Sequence, residues 1–279
     1  MTYEEFYMEQ ARLAEKLKKE KQVVKLLLLE KSGMTATELY INYRKKIPVE
    51  VRKKTLAALD EYFHHNKPVQ YLLGYTYFYG LKLLVRPGVL IPRPETELLV
   101  EKVLENIVGR KTPRILDLGT GSGAIALAIK KNRGDALLTA TDISALALGV
   151  ARKNAAMHGL DVEFIESNLF ASIPGKYDVL VSNPPYVSRD ENIDPLVSEN
   201  EPEEALYAGE GGLSFYREIL SRAREVLFDS NLIVLEIPEN KDEELSAIVK
   251  NYFPESEFAI LKDLNNLSRI LIIRNDWRI

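Results

Sequence analysis

The sequence predicts an α/β protein built on a doubly wound, seven-stranded, mostly parallel sheet. Three observations carry that expectation. From Arg114 onward, short apolar runs alternate with helical stretches. A glycine-rich turn, Gly119-Thr120-Gly121-Ser122-Gly123, lies between the first of these runs and the first helix. Finally, Val179-Leu180-Val181-Ser182 runs into Asn183-Pro184-Pro185-Tyr186. Neither proline can donate to a ladder, so the strand must end there, at the sheet edge where open α/β folds bind ligands.

The chain before this sheet reads differently. Residues 2 to 74 show helical periodicity and no strand alternation. Phe6, Ala11, Leu13 and Leu17, then Val23, Val24, Leu26 and Leu27, set apolar faces among Lys and Glu. Ser32-Gly33 breaks the pattern, Thr35 to Glu38 forms a capped start, and Pro48 opens a helix through Val51, Leu56, Leu59 and Phe63. Residues 1–74 are therefore expected to form a small domain of four or five helices. Aromatic and β-branched residues around Gly80 predict a β-hairpin, with residues 75–90 linking it to a domain over 91–279. In Ile91-Pro92-Arg93-Pro94-Glu95-Thr96-Glu97 two prolines hold the chain extended, and Pro94 suits the first turn of a helix running to Ile107. Arg93, Glu95 and Thr96 in so stiff a frame either line a ligand site or cap a linker.

Seven strands follow, at Ile115 to Leu118, Leu137 to Ala140, Val162 to Ile165, Val179 to Ser182, Leu232 to Glu236, Phe258 to Leu261 and Arg269 to Ile273. Helices are expected over Ala124 to Lys131, from the Ser144 cap to Asn154, over Phe215 to Val226 and over Leu245 to Tyr252. No helix separates the last two strands, so the last is expected to run antiparallel.

Composition narrows the chemistry. With 46% hydrophobic residues in 279, the chain can bury a sizeable core. The absence of Cys excludes a disulfide framework, a thiolate nucleophile and a Cys-based metal site. His64, His65 and His158 offer little to a metal, and none is expected. No apolar run approaches a membrane span, and the acidic start does not resemble a signal peptide. A cytoplasmic monomer off the membrane is expected. The net charge of -4 is uneven, with +6 over residues 1–90 and -10 over the rest. The basic first third is either a docking surface for an anionic partner or a solvated helical face.

The motifs specify more. Asn183 offers a side-chain acceptor and donor, Pro184 and Pro185 leave carbonyls without ladder partners, and Tyr186 offers a flat face. Together they suit a planar NH2 group, either a carboxamide or the exocyclic amine of a base. Glycines at 119, 121 and 123 let a ligand approach the backbone. Asp142, about 20 residues further on, ends the next strand where an acid accepts from ribose hydroxyls. A nicotinamide dinucleotide fits this spacing too. Two features favour S-adenosyl-L-methionine. Asp117 lies two residues before the loop, where a carboxylate can meet a cationic ligand end. The fourth strand ends in an amide-binding motif with no hydride-transfer partner.

With these motifs in one chain, the sequence resembles the class I S-adenosylmethionine-dependent methyltransferases that methylate amino groups. Ile91 to Glu97, Gln70-Tyr-Leu-Leu-Gly74, Glu201-Pro202, Ala205-Leu206 and Gly211-Gly212-Leu213 narrow the resemblance to the HemK-type peptide chain release factor glutamine N5-methyltransferases. It covers nearly the whole chain. The resemblance implies that Gly119, Thr120, Gly121, Ser122 and Gly123 wrap the methionine part of the cofactor, with Asp117 beside them. It places the ribose on Asp142 and the adenine along Ser167-Asn168-Leu169-Phe170. Many relatives carry Ser-Asp there, so Asn168 departs from the pattern. It further implies that Asn183 and the Pro184 carbonyl accept the two N–H bonds of a glutamine amide, that Pro185 and Tyr186 complete that pocket, and that the catalytic set is Asn183, Pro184 and Tyr186. Asn183 also borders the cofactor. The partners implied are the bacterial class I release factors, methylated in their Gly-Gly-Gln loop, and the cofactor leaves as S-adenosyl-L-homocysteine.

A nucleic-acid amino-methyltransferase, acting on adenine N6 or guanine N2, needs the same Asn-Pro-Pro-Tyr logic. The charge of -10 on the catalytic body and the lack of a long base-reading insertion speak against direct nucleic-acid contact. A cofactor-binding regulatory module would leave residues 183–186 dispensable. An oxidoreductase would leave the two prolines unexplained.

Overall fold

The structure, a computed structural model, describes residues 1–277. The chain divides into two compact units: Met1–Tyr75 with Ile193–Asn200, and Thr76–Asn192 with the residues from Glu201 onward.

The first unit opens with five helices: α1 (Tyr3–Lys16), α2 (Lys21–Ser32), α3 (Ala36–Ile41), α4 (Val49–His64) and α5 (Val69–Leu73). Their ends follow local chemistry. Thr2 and Glu5 form a reciprocal capping box at the start of α1, and Thr35 and Glu38 form another at α3. Gly33 stops α2 in the left-handed conformation. Phe6, Val24, Leu27, Leu28, Leu39 and Leu59 are almost fully buried and make this unit's own core. A short helix from the later chain, α9 (Pro195–Ser198), belongs to the same unit.

The second unit begins with the expected hairpin, β1 (Tyr75–Phe78) and β2 (Leu81–Leu84), followed by α6 (Glu97–Asn106). Then come β3 (Arg114–Leu118), α7 (Ala124–Asn132), β4 (Leu137–Asp142), α8 (Ala145–His158), β5 (Glu163–Glu166) and β6 (Tyr177–Ser182). After a two-residue strand β7 (Val187–Ser188), a short helix α10 (Glu203–Leu206) and its partner strand β8 (Tyr207–Ala208), the chain continues. It forms α11 (Ser214–Arg222), β9 (Leu227–Glu236), α12 (Asp242–Tyr252), β10 (Glu257–Lys262) and β11 (Ser268–Asn275).

The seven-stranded sheet has the order β10-β11-β9-β6-β3-β4-β5. Pairs from β9 to β5 are parallel, and β11 runs antiparallel to both its neighbours, as the missing crossover helix predicted. Alternate side chains feed two cores. Ile115, Val179, Val181, Leu232, Val234, Ile270 and Ile272 pack under α6, α7 and the hairpin. Leu116, Leu118, Leu180, Ile233, Leu235, Leu271 and Ile273 pack under α11 and α12. Burial on both faces is why these strands read as continuous apolar runs. It also fixes their carboxyl ends together at one edge, where β3, β4, β6 and β9 deliver the motifs.

The minor pair β7–β8 was not legible in the sequence. Two residues per strand give no periodicity, and the acidic composition of Asp190 to Glu210 reads as loop. No described helix is long and apolar enough to cross a membrane.

Candidate active site

At the end of β6 the Ser182 hydroxyl donates to the Leu118 carbonyl at 2.7 Å, locking the last residue of the strand to β3. Asn183 follows, half-buried. Its side-chain amide donates to the Thr96 hydroxyl at 3.2 Å. That contact leaves the amide oxygen for another partner. Neither this oxygen nor the Pro184 carbonyl accepts a hydrogen bond among the described residues. Tyr186 is largely buried, and its hydroxyl donates to Glu236 Oε1 at 3.4 Å. Burial pushes the Tyr186 phenol well above its ordinary value, and the Glu236 charge adds to the shift. The ring is therefore neutral at neutral pH.

Glu236 ends β9 and is 1% exposed. Its Oε2 has no hydrogen-bond partner. Burial pushes the carboxyl up to about 7, against the opposing pull of the Thr96 hydroxyl and Arg269. Thr96 favours the charged form of Glu236, yet no bond short and straight enough forms to satisfy Oε2.

Thr96 is held in turn by the stiff loop before α6. A 3-10 turn over Pro94–Thr96 starts from Arg93. The Arg93 guanidinium meets Glu201 Oε1 at 2.6 Å and the Ile91 carbonyl at 3.0 Å, while the Ile91 N–H donates to Glu201 Oε2 at 3.0 Å. The Glu201 side chain is 1% exposed. A buried carboxylate with both oxygens satisfied, one of them by arginine, is a rigid clamp, and removing either partner would strand a charge. Two stretches quoted separately for the resemblance, Ile91 to Glu97 and Glu201-Pro202, are thus one structure.

The glycine loop lies beside this site, at the end of the neighbouring strand β3. Gly119 and Gly121 have φ of +69° and +56°, and a β-carbon on either would meet nothing within 4 Å, so these two face open space. The other three loop residues brace it. Thr120 Oγ1 donates to Asp117 Oδ2 at 2.6 Å. The Ser122 carbonyl accepts from Asn154 Nδ2 at 2.9 Å. Gly123 packs where a β-carbon would press on Ala151 and Leu127, so this glycine serves helix packing.

Asp117 sits beneath the loop, fully buried. Oδ2 accepts from Thr120 and from the Ala126 N–H at 3.2 Å, and Oδ1 has no partner. Burial raises it to about 7. The sequence suggested that Asp117 meets a ligand directly, whereas its visible contacts are to the loop and the first turn of α7.

Asp142, at the end of β4, accepts from the Gly121 N–H at 2.8 Å and from Ser144 N–H at 2.9 Å. Burial raises its carboxyl, and these backbone donors pull the other way. Next to it Ile143 is 60% exposed, an apolar surface at the sheet edge that the sequence reading passed over. Ser167 joins this wall, its N–H donating to the Asp142 carbonyl at 3.0 Å. Leu169 adopts φ +45°, a conformation rare for a branched residue, and the Ser167 hydroxyl holds it by donating to the Leu169 carbonyl at 2.8 Å. Asn168 is exposed beside it.

The structure therefore brings every expected residue to one edge of the sheet, in two neighbouring groups. Asn183, Pro184, Pro185 and Tyr186 form one, and residues 117–123, 142 and 168–169 form the other. Glu236, which closes β9 against the first group, was not singled out in the sequence. Its only sequence signal was an acid closing the otherwise apolar run Leu232 to Leu235.

Known proteins resemble this chain in sequence and in fold. Two family models match, the PrmC N-terminal domain over residues 10–74 and the methyltransferase small domain over residues 94–200. The release factor glutamine methyltransferase of Streptococcus pneumoniae is 39% identical over 244 residues, covering 86% of this chain and 87% of that protein. Its counterpart in Agrobacterium fabrum is 38% identical over 261 residues, covering 90% and 89%. Among solved structures, a methyltransferase from Pyrococcus furiosus shares the fold at 20% identity, with a TM-score of 0.53 over 70% of this chain and 89% of that one. With such identity spread over both the helical unit and the sheet, the chain belongs to the release factor glutamine methyltransferase family.

Proposed function

We propose that this chain transfers a methyl group from S-adenosylmethionine to the side-chain nitrogen of the glutamine in the Gly-Gly-Gln loop of bacterial class I release factors. The observation that carries the reading is the state of Asn183: its amide nitrogen is taken by Thr96, which frees the oxygen beside the unpartnered Pro184 carbonyl. Two acceptors at the end of one strand match the two N–H bonds of a primary carboxamide.

The residues present fit the cofactor. The open backbone at Gly119 and Gly121 is a cradle that side chains would fill. Asp142 offers a half-buried carboxylate to the ribose, Ile143 an apolar face to the base, and Asn168 a side-chain oxygen to the adenine amino group. The unpartnered Asp117 oxygen lends negative charge beneath the loop to a cationic amino acid end. When bound, S-adenosylmethionine supplies a methyl group on a positively charged sulfur.

A carboxamide nitrogen is a poor nucleophile, because its lone pair is shared with the carbonyl. Asn183 and Pro184 answer this by accepting both N–H bonds. They fix the orientation of the nitrogen and favour the positive charge that it gains. Each such bond is worth about 1 kcal/mol in ordinary net stability. Aimed at charge that grows in the transition state, it contributes about 3 kcal/mol. Tyr186 packs on the amide plane. The N-methylated amide cation is strongly acidic, so water takes its proton and no dedicated base is required. Holding the nitrogen in line supplies much of the remaining acceleration.

Labelled methyl transfer to a purified release factor tests this, beside a Gln→Ala loop variant and a duplex DNA control. Label on the intact factor alone supports the reading, and label on the DNA sinks it.

A further inference from the structure

The proposed chemistry needs the Asn183 oxygen and does not account for Glu236, a carboxylate sealed at the end of β9 with one oxygen unsatisfied. Leaving such an oxygen without a donor is costly. An isosteric glutamine would avoid the burial of charge. Arg269 forms no ion pair with Glu236: its Nη2 is engaged by Glu239 at 3.0 Å and Asp263 at 3.3 Å, its buried Nε has no partner, and its charge acts on Glu236 only from a distance. Long-range attraction to Arg269 offsets part of that cost, yet it supplies no donor to the free oxygen.

We propose that Thr96 and Glu236 are positioning residues for the methyl-accepting amide, Thr96 turning the Asn183 oxygen toward the substrate and Glu236 polarising that pair from behind. This rests on the function proposed above. Thr96 is 4% exposed and accepts from Asn183 Nδ2 at 3.2 Å, so its own hydroxyl hydrogen is left to face Glu236. Groups linked in such a chain polarise one another. Negative charge on Glu236 makes the Thr96 oxygen a stronger acceptor, which draws on the Asn183 N–H and leaves its carbonyl more negative. That carbonyl meets the substrate N–H, where positive charge develops. Glu236 also accepts from the Tyr186 hydroxyl at 3.4 Å, so the same carboxylate that acts on Thr96 is tied to the tyrosine of the Pro-Pro-Tyr segment.

The groups facing Glu236 are Arg269 from β11, Glu95 from the 3-10 turn, Tyr186 after β6 and Tyr216 from α11, whose hydroxyl donates to the Glu236 backbone carbonyl at 2.7 Å. Burial among these groups raises the Glu236 carboxyl to about 7. The polarising charge is present above that pH and lost below it.

The test combines the side-chain amide resonance of Asn183 with kinetics on a release factor. In the wild type that resonance should shift with pH, with a midpoint near 7. Glu236→Gln and Thr96→Val should make it flat, and Thr96→Ser should keep it. The first two variants should lower kcat about tenfold or more, the usual scale for a group that orients a catalytic side chain, with cofactor affinity and KM little changed. Glu236→Gln should also remove the fall of kcat on the acid side, and Thr96→Ser should restore turnover. A resonance indifferent to pH and to both variants overturns the proposal, as does wild-type kcat in Thr96→Val. If the wild type does not label the release factor, the substrate reading fails and the resonance alone decides the network.

Discussion

A β-carbon on Gly212 would fall on the carbonyl oxygen of Tyr186. The Gly211-Gly212-Leu213 stretch therefore backs the Pro-Pro-Tyr segment at a distance that only glycine allows, with Gly212 at φ +94°. Gly212→Ala should cost about 1–2 kcal/mol from the backbone conformation alone. It should also push Tyr186 out of place. Turnover should fall more than cofactor affinity, measured by methyl transfer and by titration calorimetry on the same sample.

Asp117 gives a stability prediction with a definite sign. Its folded value of about 7 lies above the ordinary 3.8, so between those values the folded chain holds a proton that the unfolded chain has lost. Stability then falls as pH rises through that window. At full burial the penalty above about 7 is a few kcal/mol. Asp117→Asn should melt higher than the wild type in mildly alkaline buffer, and the gap should close in acid. Cofactor affinity should fall, because the charge beneath the loop is gone.

Asp142 and Asn168 should move cofactor affinity in opposite directions. Asp142→Ala removes the acceptor of the Gly121 N–H as well as the expected ribose contact. Loss of one hydrogen bond to a charged group costs about 1.5–3 kcal/mol, or roughly 10- to 100-fold in affinity. Asn168→Asp restores a charged acceptor near the adenine amino group and should tighten binding severalfold. Calorimetric titration of both variants checks the pair.

The helical unit carries exposed Arg44, Lys45, Lys46, Arg52, Lys53 and Lys54, and none forms a salt bridge among the described residues. Reversing Arg52, Lys53 and Lys54 to Glu should weaken release-factor binding, most at low salt, and leave cofactor binding unchanged. If factor binding is also unchanged, this surface has no part in recognition.

The sheet was legible because its central strands β3, β6, β9 and β11 are buried on both faces, so their apolar runs show without alternation. Its edge was legible through the glycine loop and through Asn183 before two prolines, both of which end a strand. What stayed hidden is pairing at a distance. Nothing in the sequence says that Glu201 closes on Ile91 and Arg93, or that Glu236 stands behind Thr96, because each contact joins stretches more than a hundred residues apart. The acidic run from Asp190 to Glu210 hides a pairing for another reason. Its carboxylates suggest a solvated loop, yet Glu201 within it is buried and clamped.

The most direct measurement is single-turnover methyl transfer by Asn183→Ala on a release factor, with cofactor affinity determined in parallel. The loss of a principal acceptor should slow transfer by about 100-fold or more. Cofactor affinity should change little. Wild-type turnover in that variant would contradict the assignment of Asn183 as the residue that readies the amide nitrogen.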